Sequence, residues 1–552
     1  MDTSITRRQA IAAPALPALT AQTPDRAILE GHDQAVADLL RRQIRDPSSP
    51  WRGAYADPFG LHHAGSAAAI LASLTAAFLH PGSKHHRDPG LIEPIRLAAG
   101  YLERAQHPDG TIDLLITNFH SPPDTAFTVQ PVATAALLAR RHGEAELAAL
   151  PEPFLRRAMG ALSRGGVHTP NHRWVVCSAL AQLYELYREP ACLRRIEQWL
   201  AEGIDMDEDG QYTERSSLVY NPVVNHALIV IAAKLNRPEL LEPVRRNLNS
   251  MLYLLHPGGE LVTEISRRQD QYERGDIGRY WFSLQYMAAR DRDGRFAALA
   301  RRFASRYASL SALMEYPELL EPLPADAALP EDYEKRFPAL NIVRIRRGPT
   351  SATLLLGGNS RFFTVRRGEA VIQAVRFASA FFGKGQFLPA RAEKRGGAYL
   401  LEQTLTGDYL QPLDPPRRVT PSDWAVLRGQ RRRSELCRLI QQAAVTERPG
   451  GFLLRVQVRG TDHVPVAIEI NLREGGKLEG VEPAPGVADA WLPAGAWVTC
   501  RAGGDLLRFG PGLRQHAYTQ VRGAEPKLPG PSVYLTGYTP LDHTLEFTWS
   551  GA

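Results

Sequence analysis

Three polar segments stand out against apolar surroundings in the N-terminal half of the chain, and each carries side chains able to move protons or hold an anion. The first contains Asn118, His120 and Asp124 just ahead of an apolar helical run, with Pro123 fixing an extended entry. Asp124 or Thr125 reads there as a plain N-cap; the alternative is a loop that lines a substrate cleft. The second, Thr169-Pro170-Asn171-His172-Arg173-Trp174, opens a very apolar helix. Asn171 fits an N-cap and His172 a solvent-facing position. The pair also has a chemical use: an amide at the positive end of a helix dipole can bind a carboxylate, and the adjacent imidazole can move a proton near neutral pH. The third runs from Asp209 to Pro222, contains Glu214, Arg215 and Tyr220, and leads into a helix carrying Asn225 and His226. Tyr220 in isolation reads as a packing residue.

Taken together, an Asn-His pair at a helix start followed by an Asp-Gly-x-Tyr-x-Glu-x-Ser-x-x-x-Tyr segment resembles the heparinase II/III-like and alginate lyase-like polysaccharide lyases. The resemblance covers the architecture from about Ala35 to the end, while its local motifs are confined to the second and third segments. It implies an (α/α) toroid followed by an antiparallel β-domain, an acidic polysaccharide or oligosaccharide substrate, and no cofactor required for catalysis. By the family pattern, Asn171 would neutralise a uronate carboxylate, His172 would be the general base, and Tyr220 would protonate the leaving oxygen. Asn118, His120, Asp124, Arg215, Asn225, His226, Arg267 and Arg268 are the candidate substrate contacts. Two departures stand out. The family often has Gly and Pro where this chain has Arg215 and Leu218, and its Gly-Asp before a further polar loop is replaced here by Glu264-Ile265-Ser266-Arg267-Arg268-Gln269-Asp270.

The chemistry of such a lyase is demanding. Removing the proton α to a carboxylate leaves a dianion, so a donor or cation on that carboxylate must absorb charge. Asn171 can do so, aided by Arg267 or Arg268. A base must then reach C5; His172 suits pH 7, whereas a tyrosine with a reference pKa of ~10 needs positive charge nearby. The C4 oxygen must finally receive a proton, which a neutral tyrosine can donate. The rival chemistry is glycoside hydrolysis on the same toroid, which needs two positioned carboxyl groups; Asp124, Asp207, Asp209 and Glu214 are available. A third class is a non-catalytic glycan-binding protein.

The elements that must position these residues are legible in the periodicity. From about Ala35 to Met314 apolar residues recur at three and four, as in Val176, Leu180, Leu183 and Leu186, and connections are short, as at Pro108-Asp109-Gly110. Many helices joined by short loops stack as antiparallel hairpins, of which an α/α toroid is one closed form. Pro317, Pro322, Pro324, Pro330 and Pro338 mark residues 315–340 as a linker. In 341–552 the period becomes two, as in Val466-Ala467-Ile468-Glu469-Ile470-Asn471-Leu472, which predicts an antiparallel β-sandwich. The expected fold class is thus multidomain α + β: a toroid over 35–314, then the sandwich. Arg428–Arg433 reads as a solvated basic loop.

Composition narrows the partners. With 65 basic and 59 acidic residues the net charge is +6, which favours an anionic partner. No zinc-finger, RRM-type or basic-helix pattern is present, so an acidic glycan is expected rather than nucleic acid. No run reaches the ~18 apolar residues of a membrane span. Arg7-Arg8 and the small-residue stretch to Ala21 resemble a twin-arginine export signal over residues 1–21, so a periplasmic or secreted location is expected. Cys177, Cys192, Cys437 and Cys500 form no CxxC pair, and no convincing metal-ligand cluster is seen.

Overall fold

The computed structural model describes residues 26–551, so the twin-arginine segment lies outside the described residues. The chain divides into two compact units. One holds residues up to 206, 212–248 and 266–328; the other holds 207–211, 249–265 and 329–552.

The first unit is helical: α1 (Arg26–Arg42), α2 (Ala64–Leu79), α3 (Ile92–Ala105), α4 (Pro122–Arg141), α5 (Ala145–Ala149), α6 (Glu152–Leu162), α7 (Pro170–Tyr187), α8 (Pro190–Leu200), α9 (Tyr220–Leu235), α10 (Leu241–Met251), α11 (Trp281–Asp291), α12 (Gly294–Tyr307) and α13 (Leu310–Glu315). Two kinds of helix alternate. Helices α2, α4, α7 and α9 are buried over most of their length. Helices α3, α6 and α12 bury one stripe and present charge on the other face. The contacts follow from this difference. Helices α2, α4, α7, α9 and α11 pack in succession, while α3, α6, α8 and α12 lie against α2, α4, α7 and α11. Helix α13 returns to α2 and α4, and α1 meets α12, so the first and last helices close the ring. An inner ring of apolar helices backed by amphipathic ones is an (α/α) toroid. Helix α7 buries Trp174, Val175, Val176, Leu180 and Leu183. At roughly 1.5–3 kcal/mol for each such side chain, this burial fixes where its first turn, bearing Asn171 and His172, must sit.

Two features of this unit differ from the periodicity. A hairpin, Ile112–Leu114 with Asn118–Ser121, interrupts the helices and carries Asn118 and His120. The proline-rich stretch 315–340 is also more ordered than a linker needs. Glu315 ends α13 as a buried residue, and Asp332–Phe337 is already a strand of the second unit.

The second unit packs an eight-stranded sheet on a nine-stranded sheet. Side chains of both, such as Val343, Phe363 and Ile470 from one and Leu439, Val456 and Leu545 from the other, form one core. Neighbouring strands are antiparallel except Ala490–Pro493 beside Ser532–Tyr538. Strand Pro465–Leu472 is buried on both faces, although its sequence alternates. The outer face is covered by a second cluster containing Ala467, Leu492, Val521 and Tyr534. Glu469 survives burial there by pairing with Arg376 at 2.5 Å.

Candidate active site

Tyr220 is placed by a buried carboxylate two loops away in sequence. Asp270 accepts hydrogen bonds from Ser216 Oγ at 2.9 Å, from the Leu218 amide at 3.0 Å and from Ser266 Oγ at 2.8 Å. Ser266 Oγ in turn accepts from the Ser217 amide, and Ser216 Oγ from the Tyr220 amide, each at 3.0 Å. The two loops are also joined through their backbones, with the Arg267 amide donating to the Arg215 carbonyl at 2.7 Å. Arg215 adopts φ +47°, the left-handed region that favours glycine. Arginine there bears the steric cost of that conformation.

Across this frame the three sequence segments connect. The Asn171 side-chain amide donates to Glu214, whose same oxygen accepts from the Asn171 backbone amide at 3.3 Å. The other Glu214 oxygen lies 3.3 Å from Arg268 Nε. The Arg268 guanidinium stands 5.4 Å from the centroid of the Tyr220 ring, and Gln269 Nε2 donates to Tyr220 Oη at 3.0 Å. Asn171, Glu214, Arg268, Tyr220 and Gln269 thus form one chain of contacts.

Asn171 is not the cap of α7. Thr169 occupies that position with Pro170 as the first helical residue, so Asn171 sits inside the first turn, buried, with its second amide contact to Thr169 Oγ1 at 3.2 Å. His172 is likewise buried rather than solvent-facing. Its Nδ1 has no hydrogen-bond partner, the His168 ring meets it edge-on at 4.7 Å, and Phe127 does so at 6.1 Å. Burial first, then the His168 and Arg268 charges, lower its pKa to about 4, while Asp124 acts in the opposite direction. The imidazole is therefore neutral at pH 7.

The first segment is split. Asp124 belongs near the cluster through its charge on His172, and it also accepts from Asn118 Nδ2 at 2.8 Å and Ser121 Oγ at 2.5 Å. Ser121, not Asp124 or Thr125, is the N-cap of α4. His120 is exposed, stacked on His107 at 3.9 Å and held to Asp109 at 2.7 Å. Asn225 is fully buried, accepting from Tyr212 Oη at 2.7 Å and donating to Asn247 Oδ1 at 2.9 Å, so it holds the framework rather than a ligand. Arg267 is exposed and tied through its backbone.

A cavity of about 490 Å³ opens beside the cluster, lined by Phe127, Leu218, Val219, Pro222, His226 and Arg279 among others. Val219 and Pro222, which flank Tyr220 in sequence, and Phe127, whose ring meets His172 edge-on, belong to this lining. His226 packs against Phe282 at 4.4 Å, and burial lowers its pKa to about 4. Among the described residues no group of three or more His, Cys, Asp and Glu is arranged to hold a metal ion, no helix is long and apolar enough to cross a membrane, and the four cysteines are free.

The sequence offered Glu214 as part of the Asp-Gly-x-Tyr-x-Glu segment and as a hydrolase carboxylate; its place between Asn171 and Arg268 emerges from the fold, as do the contacts of Gln269, Asp270, His168 and Phe127. The polar run 266–270 was the available signal. Of the other carboxylates considered for hydrolysis, Asp207 and Asp209 belong to the second unit.

No family model matches the chain, and no curated protein matches it in sequence. Solved structures do match in fold. The chondroitin AC lyase of Streptomyces coelicolor A3, in complex with chondroitin sulphate, aligns with a TM-score of 0.58 and 15% identity over 98% of this chain and 81% of that one. Heparinase III aligns with a TM-score of 0.52 and 12% identity over 99% and 85%. A Paenibacillus xanthan lyase aligns with a TM-score of 0.53 and 12% identity over 95% and 57%. The chain therefore has the architecture of α/α-toroid polysaccharide lyases, as the sequence resemblance implied.

Proposed function

We propose that the chain is a polysaccharide lyase that cleaves uronic-acid-containing glycans by β-elimination and leaves a C4–C5 unsaturated uronate end. The observation that carries this reading is the connected cluster of Asn171, Glu214, Arg268, Tyr220 and Gln269, with His172 alongside, in a toroid whose open cavity is lined by immediate neighbours of this cluster. Each member has a part. Glu214 fixes the Asn171 amide, whose longer contact to Thr169 is one that a uronate carboxylate can displace. Arg268 adds positive charge where the dianion develops. His172, neutral at pH 7, accepts the C5 proton. Gln269 donates to the Tyr220 oxygen, which leaves the phenolic hydrogen free for the C4 oxygen.

The direct test is incubation with heparin-like, alginate and glucuronan chains, following the absorbance of a new C4–C5 double bond. Absorbance rising with at least one of them is expected. New reducing ends without the double bond would show hydrolysis instead and overturn the reading.

The pH profile is a second expectation. A base must be unprotonated to act, so kcat/KM falls as pH drops through the pKa of free His172. With that pKa near 4, kcat/KM is expected to hold from pH 7 to about pH 5 and to fall below it. A limb near 6.5, the ordinary histidine value, would remove His172 from this role.

A further inference from the structure

A second cavity of about 350 Å³ lies next to the cleft and shares Phe127, Gln130 and His226 with it. Its other walls include Thr134, Gln182, Ser311, Glu315 and Tyr316. The volume is within the range of small-ligand pockets, about 300–1,000 Å³, and far above the ~30 Å³ of one water. Nothing in the elimination chemistry uses it.

Its electrostatics are balanced. Glu315 is the one carboxylate in the wall, and it is matched by Lys234 at 2.8 Å, with Thr134 Oγ1 donating at 2.5 Å and Gln182 Nε2 at 3.2 Å. Lys234 also pairs with Glu185 at 2.6 Å, and Glu185 with Arg141 at 2.9 Å, so two carboxylates face two cations. No uncompensated charge remains to hold an anion or a cation. What remains is hydrogen-bonding capacity. The Gln130, His226 and Ser311 side chains line the space, and none of the three takes part in the Glu315–Lys234 network. Donors and acceptors together, without net charge, suit hydroxyl groups, and the Phe127 ring offers an apolar face of the kind a sugar presents.

We infer that this inner cavity binds an uncharged, hydroxyl-rich sugar unit, adjoining the uronate held in the cleft. In assigning the occupant to a glycan, the inference rests on the lyase reading; the cavity itself does not. A glycan in which the uronate neighbours an unsulfated sugar is then favoured over one charged at every residue.

The test is ligand-observed saturation-transfer NMR on the intact protein with D-glucose, D-galactose and N-acetyl-D-glucosamine, and with D-glucuronate as the charged comparison, in the absence of turnover. At least one neutral sugar is expected to bind, and Gln130→Met, which keeps volume but removes the amide from the wall, to weaken it by about 5–10-fold, the worth of one hydrogen bond. Ser311→Val provides a second variant, on another helix of the wall. Failure of all three neutral sugars to bind, or binding unchanged in both variants, overturns the inference. Because no elimination is measured, that failure is distinct from failure of the lyase reading, which the double-bond assay decides.

Discussion

Tyr220→Phe is expected to lower kcat by about 10²–10⁴-fold, the usual worth of a general acid or base, in a protein that still folds. The substitution keeps the ring and its contact with Arg268, and it deletes a hydroxyl whose protein partner is the exposed Gln269. The main-chain bond that seats the residue, from its amide to Ser216 Oγ, is untouched. Because the lost proton transfer belongs to the transition state, kcat and kcat/KM should fall together while KM barely moves. Initial rates of double-bond formation on a uronic-acid glycan, with a thermal unfolding curve as control, decide it. A folded variant working at near wild-type rate would remove Tyr220 from the mechanism.

Asn171→Ala should cost about 10²–10³-fold in kcat, the size found for removing one donor from a site where negative charge develops. Here a stability penalty accompanies the loss. Asn171 is buried and supplies two contacts to Glu214; without its side chain, Glu214 keeps Arg268 and the Asn171 backbone amide. An unfulfilled buried acceptor costs about 1–3 kcal/mol, so the unfolding midpoint should drop as well. The rate is therefore to be compared at a temperature where both proteins are folded. If the alanine variant is folded there and retains full turnover, the carboxylate-neutralising role is wrong.

Much of this protein was determined by its sequence. Apolar spacing of three and four specifies helices, because only that period keeps one face against a core. The change to a period of two specifies strands, and the number of short helical connections suits a ring of hairpins. The chemistry of the site was legible as residue types: an amide beside an imidazole, a tyrosine, two adjacent arginines. Local rules also placed the start of the helix bearing Asn171 and His172, because Pro170 acts on its own neighbours.

The tertiary structure decided how those types were used. Ser121 took the cap for which Asp124 and Thr125 were the candidates, since a side chain caps by reaching forward to the amide three residues on, as Ser121 does to Asp124 at 3.2 Å. Asn225 and Tyr220 lie on one helix, yet one is sealed in the interior and the other is only half-buried; which face is covered depends on neighbours distant in sequence. Strand Pro465–Leu472 alternates as if half-exposed, but a second cluster buries its outer face as well. The decisive case is Asp270. Its carboxylate organises residues 216–218 from a loop about fifty positions further along the chain, and with them it sets the distance between Tyr220 and Arg268. A buried carboxylate must collect donors wherever the fold supplies them, and no period or motif in a single sequence encodes which donors those will be.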